Sequence, residues 1–164
     1  MTLLINNAGI GRSSSFLAAG SADAARAELE TNFFGPLALS QAFAPILKAN
    51  GGGAIVNVLS VLSWLNLSAA ATYSASKSAA WSLTNGLRNE LRAQGTQVVG
   101  VHVAFTDTDM ARTVPGPKAE PQDVARQTLA ALEAGQDEVL ADGLTRNVKQ
   151  GLSAQPGVYL GQVG

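Results

Sequence analysis

Three short apolar runs, separated by longer helical stretches and punctuated by glycine, predict an α/β fold on a parallel sheet. The runs cover residues 2–6, 54–60 and 97–105. Each is rich in Val, Ile and Leu with little polar alternation, the pattern of strands covered on both faces. Alternation of such strands with helices argues for parallel pairing through right-handed crossovers.

The first run leads into Asn6-Asn7-Ala8-Gly9 and then Gly11. Ser21 with Asp23 can open a helix, and residues 32–48 carry Phe33, Phe34, Leu37, Leu39, Phe43 and Ile46 as a second helical stretch. Gly51-Gly52-Gly53 stops that stretch before the strand over 54–60. A long helix follows over 71–93, closed by Gln94-Gly95, and leads to the strand over 97–105. Residues 113–121, with Pro115, Pro117 and Pro121, read as an irregular loop, and Ala125, Leu129 and Leu132 mark one side of the next helix. A weaker fourth strand is expected over 138–141. Neither glycine group follows a strand and opens a helix in the manner of a phosphate-binding turn, so both read as loop glycines.

Composition narrows the function classes. The chain has 164 residues, 46% of them hydrophobic, and a net charge of −1, which fits one domain with a buried core. It has no basic stripe, so nucleic acid is not an expected partner. Cys is absent and His102 is the sole histidine, which argues against disulfides and against a zinc site. No apolar run approaches membrane-spanning length and no targeting segment is evident, so a cytoplasmic protein is expected.

The candidate chemistry gathers around Tyr73-Ser74-Ala75-Ser76-Lys77. Tyr and Lys four apart project from one helix face. An ammonium held near a phenol is expected to favour the phenolate and lower the tyrosine pKa, suiting a proton donor or acceptor at a carbonyl or alcohol oxygen. Ser60 ends the run over 54–60, at the strand edge where α/β sheets place ligands, and could hydrogen-bond that oxygen. Asn32 stands in an otherwise apolar helical stretch and must find partners for its amide, either backbone groups or a relay water.

The ordered set of motifs resembles the short-chain dehydrogenase/reductase family. It comprises Asn6-Asn7-Ala8-Gly9, Asn32-Phe33-Phe34-Gly35, Ile55-Val56-Asn57-Val58-Leu59-Ser60, Tyr73-Ser74-Ala75-Ser76-Lys77 and Thr106-Asp107-Thr108-Asp109-Met110. The resemblance implies that Tyr73 is the general acid/base and that Lys77 tunes it and holds the nicotinamide ribose. Ser60 would polarise the substrate oxygen and Asn32 maintain a proton path. Asn6, Ala8, Gly9, Tyr73, Lys77 and Thr108 would line the cofactor, which is NAD or NADP. Val103 and Ala104 replace the family's usual Pro-Gly, and Leu59 replaces the first serine of its usual pair.

The resemblance also implies strands 4–7 of a Rossmann-type doubly wound sheet. The expected organisation over 1–164 is a single partial domain without the N-terminal glycine-rich unit, its first strand an exposed edge. The expected function is NAD(P)-dependent hydride transfer to or from a hydrophobic carbonyl or alcohol, in a homo-oligomer built through the helices over 32–48 and 71–93. The alternative is an inactive truncated remnant acting through dimerisation with intact relatives. Trp64, Leu65 and Leu67 read equally as pocket wall and as packing. Trp81 reads as helix packing, and His102 as a satisfied core or edge histidine.

Overall fold

A computed structural model describes residues 2–161; Met1 and residues 162–164 of the expected 1–164 domain lie outside the described residues. Strands β1 (Leu3–Asn6), β2 (Gly53–Val58), β3 (Thr96–His102) and β4 (Glu138–Leu140) form one sheet in that order. Every pairing is parallel. The α/β fold and parallel sheet are therefore as expected, and β1 is an edge with Ile5 49% exposed. Such an edge offers unpaired backbone groups to another chain.

The strand ends differ from expectation. β2 stops at Val58, so Ser60 stands past the strand instead of on it. The ladder continues only as single bonds, Leu59 N–H to the Val101 carbonyl at 2.7 Å and Val61 N–H to that of Val103 at 3.0 Å. Ser60 has left the sheet because its hydroxyl caps the following 3-10 turn, Val61–Ser63.

The helices are α1 (Ser21–Leu29), α2 (Gly35–Ala49), α3 (Ala71–Leu91), α4 (Pro121–Glu133) and α5 (Gly143–Gly151). Asn32 does not begin a helix. A π turn over Glu30–Phe34 joins α1 to α2 with helical backbone at both junctions, and Asn32 lies within it. A widened turn of this kind changes which way its side chains face, and such turns recur at functional sites. Helix α5 has its own signals in the sequence, Leu144, Val148 and Leu152 four apart, and Asp142, which caps it by accepting from Thr145 N–H at 2.8 Å.

Both faces of the inner strands β2 and β3 are covered, as their unalternating sequences require, while Ile5 leaves one face of β1 open. Leu4, Ile55 and Val98 pack with Leu47 of α2 and Leu87 and Leu91 of α3. Leu3, Val56, Val99 and Val101 face Val124, Ala131 and Leu132 of α4. Close approach explains the glycine run: with φ +112 and +144, Gly52 and Gly53 pass so near the Gly95 and Thr2 carbonyls that a Cβ would lie 2.5 and 2.4 Å from those oxygens.

Candidate active site at the strand ends

Tyr73 and Lys77 leave the first turns of α3 on the same side. Lys77 Nζ stands 5.8 Å from the centre of the Tyr73 ring. Lys77 is 5% exposed and donates to the Val58 carbonyl at 2.9 Å, which ties α3 to the end of β2. Ser60 is also buried, and its hydroxyl is near enough to the Tyr73 phenol to favour the phenolate. Ser60 Oγ accepts from Leu62 N–H at 3.1 Å, so its own proton is free to point at Tyr73 or at a substrate oxygen. The structure thus brings Ser60, Tyr73 and Lys77 together.

One expectation is overturned. The Tyr73 phenol is not made more acidic; its pKa is pushed up to about 12. Burial is the main cause, the Ser60 hydrogen bond pulls the other way, and the Glu28 carboxylate adds to the rise. The Lys77 ammonium one helical turn away does not outweigh burial of the phenol, since burial disfavours its own charge as well. Its own pKa falls to about 8.

That depression predicts an unusual pH dependence. An unfolded lysine keeps its proton to about pH 10.4, whereas Lys77 releases it near about 8 in the fold. Between those values the unfolded state binds more protons, so stability rises with pH. Tyr73 acts oppositely from about pH 10, where the unfolded phenol ionises and the folded one does not. We expect denaturant stability to climb from pH 8 to about 10 and to stop climbing above it. In Lys77→Met the climb should vanish; an unchanged climb would assign it to another group.

Asn32 and two further residues stitch the loop after β1. Ile10 N–H donates to Asn32 Oδ1 at 2.9 Å, and Asn32 Nδ2 donates to the Ile10 carbonyl at 2.9 Å and to Ser76 Oγ at 2.9 Å. Of the two partners open to it in the sequence, Asn32 therefore has the backbone groups. Glu28, fully buried, accepts from Arg12 N–H at 2.7 Å and Ser13 N–H at 3.0 Å. Thr72 accepts from Ser14 N–H at 3.2 Å and donates to its carbonyl at 3.3 Å. The stitched loop packs on the site, since a Cβ on Gly11 would lie 3.4 Å from the Tyr73 ring. Glu28 escaped the sequence reading; the signal was an acid one helical turn before an inward-facing asparagine.

The remaining predicted residues are dispersed. Asn6, buried at the end of β1, donates to Asn57 Oδ1 at 2.7 Å, leaving its own Oδ1 without a partner among the described residues. Gly9 is close to both functional side chains: a Cβ there would lie 3.3 Å from Asn32 Oδ1 and 3.5 Å from Lys77 Nζ. Ala8 is exposed at the neighbouring position. Thr108 is exposed in the loop after β3, where its hydroxyl donates to the Thr106 carbonyl at 3.3 Å. Trp64 and Leu65 are buried, in one cluster with Trp81 and Val148, and Leu67 is partly buried. Trp64 meets Trp81 edge to face at 6.4 Å. Among the described residues no group of three His, Cys, Asp or Glu side chains could hold a metal. Among the described residues no helix is long and apolar enough to cross a membrane.

The parallel sheet with its helices on both faces is a Rossmann-type arrangement, and comparison with known proteins narrows it. A family model described as short chain dehydrogenase matches residues 1–118. A short-chain dehydrogenase from Burkholderia cenocepacia, solved in complex with NADP, superposes with a TM-score of 0.90 at 46% identity over 95% of this chain and 65% of that one. One from Burkholderia phymatum, solved with NAD, gives 0.82 at 25% identity over 100% of this chain and 70% of that one. A 3alpha-hydroxysteroid dehydrogenase from Mediterraneibacter gnavus is 33% identical over 77% of this chain and 56% of the relative. This chain belongs to the short-chain dehydrogenase family, a family of oxidoreductases. It spans about half the length of the curated relatives it matches, 57% and 43% in two cases.

Proposed function

We propose that this chain carries the proton-transfer and substrate-polarising side of a nicotinamide-dependent oxidoreductase acting on a carbonyl or alcohol. The observation that carries the reading is the convergence of the Ser60 hydroxyl and Lys77 on Tyr73, from two elements of the fold. The neighbours solved with NADP and NAD support a nicotinamide cofactor and leave both forms open. The hydroxysteroid dehydrogenase among its relatives supports an apolar ketone or secondary alcohol as substrate.

The residues present fit such a cofactor. Gly9 keeps open the space that a side chain would close against Lys77 Nζ. Lys77 uses one bond on Val58, and its remaining protons can serve ribose hydroxyls. Asn6 Oδ1 is buried and unsatisfied near the end of β1. Gly9, Ala8, Asn6 and Lys77 would hold the group, with Thr108 closing from the loop after β3. When bound, it supplies or accepts the hydride.

The chain's own residues manage the proton. Ser60 donates its hydroxyl hydrogen to the substrate oxygen and supports charge developing there. Tyr73, protonated at neutral pH, gives its phenolic proton to that oxygen during reduction. Lys77 then stabilises the phenolate from one helical turn away. Asn32, with Glu28 and Thr72, acts at one remove by holding the Ile10–Ser14 backbone against Tyr73.

Titration with NADH and NADPH, followed by addition of an apolar ketone, tests the reading. Saturable nicotinamide fluorescence and ketone-dependent oxidation are expected. Saturable binding without oxidation, with intact relatives captured as heterodimers, would replace this reading by that of an inactive partner. We further propose a homo-oligomer through α2, because Phe34 at its entry and Leu39 and Ile46 along it are exposed. The double substitution Leu39→Glu with Ile46→Glu should reduce the mass by light scattering to that of one chain. An unaltered mass would exclude α2 from the contact.

A further inference from the structure

Behind Ser60 the strand ends enclose a polar cluster that the proton transfer above does not use. His102, the last residue of β3, is 1% exposed. Its ring stacks on Trp64 with centres 3.9 Å apart and planes at 20°. Nδ1 lies 3.3 Å from the Ser60 carbonyl oxygen, and Nε2 lies 3.5 Å from Glu138 Oε1. Lys149 Nζ donates to that same Glu138 oxygen at 2.8 Å and sits 4.9 Å above the Trp64 ring. Side chains from β3, β4 and α5 thus close around one indole in the turn after β2.

Both ring nitrogens face oxygens, and a neutral imidazole has one proton to give. The charged groups about the ring are Glu138 from β4, Lys149 from α5 and Arg88 from α3. Burial, the largest influence, keeps the ring neutral and pulls its pKa to about 4; Glu138 and the Ser60 bond oppose this, and Lys149 and Arg88 add to it. Glu138 already receives the Lys149 ammonium, and 3.5 Å is long for a further N–H bond. The Ser60 carbonyl takes Ser63 N–H at 2.9 Å and has a second lone pair to fill. The proton therefore belongs on Nδ1.

We propose that His102, held as the Nδ1–H tautomer between Trp64 and the Glu138–Lys149 pair, is a positioning residue that fixes the Ser60 peptide and thereby aims the Ser60 hydroxyl. The inference rests on Ser60 being the substrate-facing hydroxyl. Ser60 is held by four contacts: its carbonyl by His102 and by Ser63 N–H, its N–H by Ser63 Oγ at 3.3 Å, and its Oγ by Leu62 N–H at 3.1 Å. Without His102 the carbonyl keeps only Ser63 N–H, and the turn that aims Oγ at Tyr73 is held less firmly.

Because the chain has a single histidine, nitrogen NMR of the unaltered protein reads its tautomer without ambiguity. The expected result from pH 6 to 8 is a protonated Nδ1 and a bare Nε2 that do not titrate. An Nε2–H ring, or one titrating near the ordinary histidine value, would overturn the proposal. His102→Leu should speed hydrogen exchange at the Leu62 amide by roughly tenfold, the worth of one hydrogen bond. His102→Asn, which keeps a donor close to Nδ1, should restore it. Equal exchange in both variants, or no change in either, would also overturn it. In turnover, His102→Leu should lower kcat with KM little changed. If the tautomer and exchange results hold while Ser60→Ala leaves turnover intact, the positioning of the turn stands and the role given to Ser60 fails.

Discussion

Tyr73→Phe is expected to lower turnover by roughly a hundredfold to ten-thousandfold, the range supplied by a positioned proton donor. Only one oxygen is removed. The ring lies against Gly11 and beside Lys77, and those contacts do not involve the hydroxyl. Stability should therefore change little, and a buried polar atom is lost along with its partial pairing to Ser60. Nicotinamide affinity should also persist, since the ribose contacts proposed here belong to Lys77. Steady-state kinetics beside a fluorescence titration separates these quantities. Turnover within threefold of the parent would remove Tyr73 from the chemistry. A parallel loss of cofactor binding would show that the phenol serves binding instead.

The second large effect is on stability. Asn32→Leu should destabilise the fold by on the order of 3 kcal/mol, because it removes the partner of both the N–H and the carbonyl of half-buried Ile10. Ser76 loses a donor but keeps its own bond to the Tyr73 carbonyl at 2.7 Å. The leucine also meets a π turn whose widening was occupied by an amide spanning to the loop. Asn32→Asp should fall between leucine and the parent, since it keeps the acceptor for Ile10 N–H and loses the donor. Urea denaturation at neutral pH reads both. If the leucine variant matches the parent, the Ile10 N–H and carbonyl have other partners and the stitched loop does not depend on Asn32.

The same residues show which inferences can be drawn from a sequence. The apolar runs located every strand to within a few residues, because a strand buried on both faces must be apolar at successive positions. The ends were less legible. Ser60 looks like strand until its hydroxyl is seen capping a turn, and Leu59 and Val61 still bond across to β3. The π turn left no trace either, since Glu30–Phe34 reads as ordinary helix and is widened where Asn32 reaches the Ile10 peptide. Helix α5 is short, and its signals are confined to its Asp142 cap and to Leu144, Val148 and Leu152 four apart.

The pairing of Tyr73 with Lys77 was open to inspection from the sequence, because residues one helical turn apart meet wherever the helix lies. Its electrostatic consequence was not. The phenol rises to about 12 through burial and through Glu28, which arrives from α1, while Lys77 turns to a carbonyl of β2. The contacts around His102 likewise join four separate segments of chain. Local spacing therefore told which side chains could act together, and distant segments folding over them set their protonation, because desolvation and charge depend on whatever packs nearest in space.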